Sequence, residues 1–439
     1  MRKSVIATLL AGSVLSLNAF AIDLMQVYRE ALANDAPYAS ARAQLAAGQE
    51  RSTQARAGLL PTIGVGGSYN RSDLESTAGG ITAGRDFSSR GYTVSLSQPL
   101  FRLANWEQYQ QGRLAVAASE AQFAQVQQDL IVRVAAAYFD VLASQDALAT
   151  VQAQKAAITE QLASAKRNFE VGTATITDTH EAQARYDLAV AQEFAAQNDL
   201  EIKRSALQQI IGKPAGALAT LRPGLKLTTP EPANVDAWVQ SAEQQNYGVL
   251  GQQLALEIAQ REIRKNRAGH YPTVDLVASR GHSNQTGSAT SPTGSVSDNT
   301  TIGVQWSVPI FAGFAIDSRV REAIALEDKT RSDLENARRT AAQGARQAFL
   351  GVNAGLAQIR ALEAAELSSQ SALESNRLGY QVGVRINIDV LNAQQQLFST
   401  RRDLSRARYE TIVNGLRLKS AAGILKEEDL ATVNALLQQ

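Results

Sequence analysis

The segment TIGVQWSVPI, residues 301–310, alternates without a break. Ile302, Val304, Trp306, Val308 and Ile310 fall on one side, and Thr301, Gly303, Gln305, Ser307 and Pro309 on the other. A period of two with one apolar face describes a half-buried strand. About ten residues is also the length a tilted strand needs to cross a bilayer. Three further segments share the pattern. Apolar and small polar residues alternate over residues 92–97. Ile63, Val65 and Tyr69 face opposite Thr62, Gly64, Ser68 and Asn70, and Val274, Leu276 and Ala278 face opposite Thr273, Asp275 and Ser279. The polar stretches 71–89 and 283–300 read as loops joining the strands in pairs.

Two ordinary hairpins resting on a soluble core would alternate in the same way, so the remaining chain decides between the readings. It offers no such core. All ten prolines lie between Pro37 and Pro309, and residues 100–213 and 310–439 hold none. Proline breaks helix interiors by steric clash and by lacking a donor, so both regions are free to form very long helices. Leu148, Val151, Ile158, Leu162, Ala165 and Phe169 recur at three- and four-residue spacing, with Lys155 filling one slot. That is the heptad pattern of helices packed side by side. A helix from about Leu103 to Glu170 reaches roughly 100 Å at 1.5 Å per residue. Strands with no core to cover belong in lipid. Four cannot stand there alone, because an open sheet edge leaves backbone groups unpaired in hydrocarbon and closed barrels begin at about eight strands. The chain must therefore assemble with copies of itself.

An internal repeat organises the chain. Pro61-Thr62 recurs as Pro272-Thr273, Val171-Gly172 as Val382-Gly383, Asp178 as Asp389, Ala182-Gln183 as Ala393-Gln394, and Ile211-Gly212 as Ala422-Gly423, all 211 residues apart. The unit is a helix, two strands, a very long helix, a tight turn and a helix. Residues 22–228 form the first copy and 229–439 the second.

Arg2 and Lys3, an apolar run over residues 5–17 and the small-x-small site Ala19-Phe20-Ala21 read as a secretory leader over residues 1–21. The mature chain is then expected to begin at Ile22. No cysteine is present, which removes both disulfides and an N-terminal lipid attachment point from an exported chain. Charge is balanced at 43 Lys+Arg against 42 Asp+Glu, so no basic field advertises nucleic acid.

The whole mature chain resembles the TolC-type outer-membrane efflux family. The likeness includes LMQVY from Leu24, QPLF from Gln98, RNFEVGTATITD from Arg167, GYQVGVRINIDVLNA from Gly379, ARYETIVNGLRLKSAAG from Ala407 and EEDLATVNALL from Glu428. The resemblance implies a mostly helical chain carrying a membrane β-barrel. Three chains supply four strands each to one twelve-stranded barrel in the outer membrane of a Gram-negative bacterium. The long helices continue it as a periplasmic α-helical barrel, with equatorial elements near residues 213–240 and 424–439. Family members are exit ducts for tripartite efflux pumps and type I secretion. They dock to a periplasmic adaptor (membrane fusion) protein and an inner-membrane transporter of the RND, ABC or MFS type, and need no cofactor.

Site roles follow by the same resemblance. The turns at Val171-Gly172 and Val382-Gly383 lie at the periplasmic tip and contact the adaptor. Asp389 contributes to a lumenal carboxylate ring. A second acidic position in the family pattern is Asn392 here, so one ring and weaker cation selectivity are expected. Arg385 links one hairpin to Asp178 and Thr177 on another, and Tyr380 joins the same network. The division into donor and acceptor explains why only the second turn carries an arginine.

Catalysis finds no support. His180, His270 and His282 are isolated from one another. Gly64-Val65-Gly66-Gly67 lies inside an alternating strand, and Gly212-Lys213-Pro214 lacks the Ser or Thr of a phosphate loop. Arg401, Arg402, Arg406 and Arg408 read as a solvated or interhelix face. Two other functions compete with the duct. A stand-alone diffusion porin would conduct without partners, and a periplasmic coiled-coil scaffold would leave the four strands without purpose.

Overall fold

The computed structural model describes residues 21–438; apart from its last residue, the expected leader over 1–21 lies outside them. Helices α1 (Leu24–Asn34) and α2 (Ala36–Ala57) lead into strands β1 (Thr62–Ala78) and β2 (Ile81–Phe101), then α3 (Leu103–Glu170) and α4 (Ile176–Ile211). The second half repeats the order as α5 (Val235–Gln245), α6 (Tyr247–Arg267), β3 (Thr273–Gln285), β4 (Ser295–Ser307), α7 (Ala315–Gln381) and α8 (Asn387–Ala421). A short α9 (Glu427–Asn434) follows. Helices α3 and α7 have 68 and 67 residues, and each runs about 100 Å. No helix among the described residues is long and apolar enough to cross a membrane.

The four strands form one antiparallel sheet in chain order. Residues directly opposite in such a sheet share a face. The pairs Ile63↔Leu96, Val65↔Val94, Leu276↔Val304 and Val274↔Trp306 therefore build one apolar face. Ile63, Val65, Ile302 and Trp306 on it are all at least 70% exposed, because none of the described residues covers them. The opposite face carries Ser95, Ser97, Ser279 and Gln305. Among the described residues the outer edges of β1 and β4 have no partner strand, so the sheet is open on both sides.

The loops depart from expectation. Residues 71–89 are not a loop, because β1 and β2 stay paired up to Ala78↔Ile81. Gly79 and Gly80, with φ of 60° and 81°, make the turn; two successive positive-φ residues suit the right-handed twist of a hairpin. A ribbon wet on both faces pairs through its backbone and needs no apolar alternation, which is why the pattern stops before the strands do. The strands accordingly have 17, 21, 13 and 13 residues rather than about ten. The second loop shrinks in the same way to residues 286–294.

Below the sheet, α2, α3, α6 and α7 lie side by side in the order of the strands they adjoin. The junction is fastened by Arg102, whose Nε and Nη2 donate to Asp275 Oδ1 and Oδ2 at 2.8 and 2.6 Å. Further down, α3/α4 and α7/α8 form two helical hairpins, and α3 packs on α8.

The main core lies at the midpoint of α3. Tyr138 is fully buried there and donates to the Ala219 carbonyl at 2.7 Å. Leu24, Leu130, Leu207, Ile211, Leu430 and Leu437 surround it. Residues 213–234 wrap this level as a strap, in which Leu218 bridges to Ile22 and Leu221 to Leu437. The start of the described chain, the strap and the C-terminal end thus meet at one height.

Candidate functional site

Both hairpins turn in the same way. Val171 N–H donates to the Arg167 carbonyl and Val382 N–H to the Leu378 carbonyl, each at 3.1 Å. Gly172 and Gly383 both adopt φ of 77°, a left-handed conformation that ends a helix and that glycine enters without a Cβ penalty. The next two amides converge on one carbonyl. Thr173 and Ala174 donate to Asn168 O, and Val384 and Arg385 donate to Gly379 O. Val171, Val382, Val384 and Ile386 stay exposed, giving the tip an apolar surface that the protomer does not cover.

The copies differ by an exchange of sizes. At the 211-residue offset, Asn168 corresponds to Gly379, Phe169 to Tyr380 and Ala174 to Arg385. Where the turn residue is small, the helix supplies the long side chain, and Asn168 Nδ2 reaches Tyr380 Oη at 3.1 Å. Where the turn residue is arginine, the helix supplies glycine.

Arg385 Nη1 stands 3.7 Å from Asp389 Oδ2 on the same hairpin. Asp178 is engaged locally. Its Oδ2 accepts from Thr175 N–H at 3.0 Å and from Thr175 Oγ1 at 2.8 Å, a capping box at the start of α4. Thr177 is exposed beside it. Within one protomer, then, Arg385 is not joined to Asp178 or Thr177. Asp389 is the third residue of α8, whose N-cap is Ile386, so it does not cap the helix.

Several polar residues that sequence reasoning passed over tie the two hairpins together. Asn387 is completely buried; it accepts from Gln161 Nε2 and donates to the Asp178 carbonyl at 3.2 Å. Arg185 on α4 donates through Nη2 to Asn392 Oδ1 at 3.0 Å and through Nη1 to Gln395 Oε1 on α8. Ile158, Leu162, Ala165, Ala182, Ala189 and Leu391 pack between them. Lys155, the polar slot in the heptad, reaches Glu193 at 2.7 Å within the first hairpin. That bond holds the Glu193 carboxyl below its ordinary range. A signal for Asn387 did exist. It and Gln394 sit seven residues apart among Val390, Leu391 and Leu397, two amides at core spacing.

The outer membrane efflux protein family matches residues 27–213 and again 238–424, each bound of the second match lying 211 residues past the first. Outer membrane protein TolC of Escherichia coli (strain K12) is 34% identical over 426 residues, covering 95% of this chain and 85% of that protein. Alkaline protease secretion protein AprF of Pseudomonas aeruginosa is 34% identical over 426 residues, covering 95% and 88%. Among solved structures, the Campylobacter jejuni CmeC outer membrane channel superposes with a TM-score of 0.79 at 17% identity, covering 95% of this chain and 90% of that one. The outer membrane protein VceC of Vibrio cholerae superposes with a TM-score of 0.77 at 20% identity, covering 91% and 96%. With both halves matched and relatives a third identical along nearly its whole length, this chain belongs to the outer membrane efflux protein family.

Proposed function

We propose that this chain is an outer-membrane exit duct for tripartite efflux and type I secretion, passing small molecules or proteins from an inner-membrane transporter to the cell exterior. One observation carries the reading. A sheet with an uncovered apolar face and two open edges adjoins one helix per strand, two of which run on for about 100 Å. Open edges are not tolerated in hydrocarbon. Three copies would close the sheet into twelve strands, and the helices would then enclose a duct reaching through the periplasm. Relatives named for protease secretion and for efflux support both kinds of cargo.

The tip is the gate in this reading. The exposed turns Val171-Gly172 and Val382-Gly383 would receive the periplasmic adaptor, which brings the transporter. Arg385 would reach Asp178 and Thr177 of a neighbouring protomer, with Tyr380 contributing from the same hairpin. Asp389 would stand in a ring of three carboxylates around the axis and attract cations. Exposed ion pairs are worth about 0.2–1 kcal/mol each. Three such links hold a closed state by only a few kcal/mol, a gap that differential binding of an adaptor can reverse.

Deleting the gene and comparing drug susceptibility with the secreted proteome tests the reading. Hypersensitivity, loss of secreted proteins or both is expected, together with a heat-sensitive trimer band in the outer-membrane fraction. A monomer found in the periplasmic fraction, with both phenotypes unchanged, would overturn it.

A further inference from the structure

We infer that Arg185 is the releasable tie between the two hairpins of each protomer, and that Asn392 is its partner rather than a vacant place in a second lumenal ring. The inference rests on the reading of the helix tips as the entrance of the duct.

Three ties cross from the first hairpin to the second near the tip. Asn168 donates to Tyr380. Gln161, Asn387 and the Asp178 carbonyl form the second, around a side chain with no exposure. Both join neutral groups, and the burial of Asn387 makes its tie a fixed pin that sets the register of α8 against α3 and α4.

The third differs in kind. Arg185 carries a full charge, yet it meets two amide oxygens, of Asn392 and Gln395, one helical turn apart. Among the described residues no carboxylate stands within ion-pair distance of it. The two oxygens suit the fork of a guanidinium, which presents paired donors in one plane. A charged donor on neutral acceptors is stronger than a bond between neutral groups and weaker than a charge-assisted pair on both sides. It is also nearly indifferent to salt, because only one partner is ionised. The tie lies at the exposed margin of the hairpin interface, where water can replace either amide. Its two bonds are exposed whereas those of the other two ties are part-buried, so despite its strength it is the tie that water replaces first.

The consequence concerns Asn392. An acid at this position would meet Arg185 and be neutralised by it, so the two residues are read together. The neutral amide keeps the tie weak enough to release.

Single-channel recording of the full-length protein in planar bilayers tests this, with calcium as the blocking cation. Arg185→Gln is expected to raise conductance several-fold, and Arg185→Lys, which offers a point charge instead of a fork, to give an intermediate value. Asn392→Asp is expected to lower conductance, with the loss relieved by high salt and calcium block left unchanged. The double variant Arg185→Gln/Asn392→Asp should free the carboxylate and strengthen calcium block several-fold. Conductance unchanged in Arg185→Gln with the trimer band intact would overturn the tie. So would equal strengthening of calcium block by Asn392→Asp with and without Arg185. Arg185→Lys and Asn392→Asp, which leave every group a partner, carry the test should Arg185→Gln fail to assemble. A wild type that forms no channel would overturn the duct reading itself, a result distinguishable from either failure of the tie.

Discussion

Gly379 and Arg385 share one space: a β-carbon on Gly379 would come within 2.7 Å of Arg385 Cγ and 3.3 Å of its Cβ. The glycine lies in the last turn of α7 and serves clearance there. Gly379→Ala is expected to displace Arg385 and give a leaky channel, although alanine favours a helix interior by up to about 1 kcal/mol over glycine. Conductance and thermal unfolding measured together check this. A rise in the first with no fall in the second is expected, and a tight channel would refute the account.

Arg385→Ser should loosen the entrance, and adding Tyr380→Phe should loosen it further. The phenylalanine removes the acceptor of the Asn168 amide, a bond worth about 0.5–1.5 kcal/mol. Bilayer conductance and uptake of a large antibiotic are the readouts. If neither moves in the double variant, Arg385 and Tyr380 do not hold the gate.

Arg102→Ala should weaken the junction of sheet and helices. Asp275 is 8% exposed and both its oxygens accept from Arg102, so truncation strands a buried carboxylate. Because the Arg102 side chain is itself 41% exposed, water moderates the loss, to about 1–3 kcal/mol. Thermal melting of the trimer measures it, and Asp275→Asn, which leaves no buried carboxylate behind and only the half-exposed Arg102 charged, should lose less.

Alkali should unfold the equatorial core steeply. Burial raises the hydroxyl pKa of Tyr28, Tyr138 and Tyr409, with Glu427, Asp23 and Asp146 respectively adding to it; Tyr28 is pushed up to about 12. An unfolded tyrosine loses its proton near 10, while the folded one keeps it. The stabilisation is therefore whole below that pH and is lost as pH rises, by about 1.4 kcal/mol per pH unit for each tyrosine. Melting temperature should fall through this range, and tyrosinate absorbance should appear only as the chain unfolds. Early absorbance from the native protein would contradict the prediction.

The sequence was most legible where a single physical rule acts locally. Proline placement marked out the region that holds α3 and α4, the repeated Val-Gly turn marked the break between them, and alternation located the four strands. The upper parts of β1 and β2 escaped, because backbone pairing in a two-sided wet ribbon leaves no trace in side-chain pattern. Tyr138 lies in a visibly apolar run, but its partners, the carbonyls of Ile22 and Ala219, come from segments that only tertiary packing brings near. At the tip, the repeated Val-Gly turns were readable from the duplication. Arg185 was not, since a half-buried helical arginine carries no mark of the amide it will meet on another helix.

Tyr138, pinned by the strap halfway along α3, divides that helix into two arms of similar length. The arm from Tyr138 to Glu170 is about 48 Å at 1.5 Å per residue. A swing of about ten degrees at the pivot would sweep the far end through roughly 8 Å over that length. The arm toward the sheet is of similar length, about 52 Å at 1.5 Å per residue. The sheet therefore stays still only where α3 bends at the strap instead of turning as a rigid rod, and opening the duct then demands little of the barrel that holds it in the membrane.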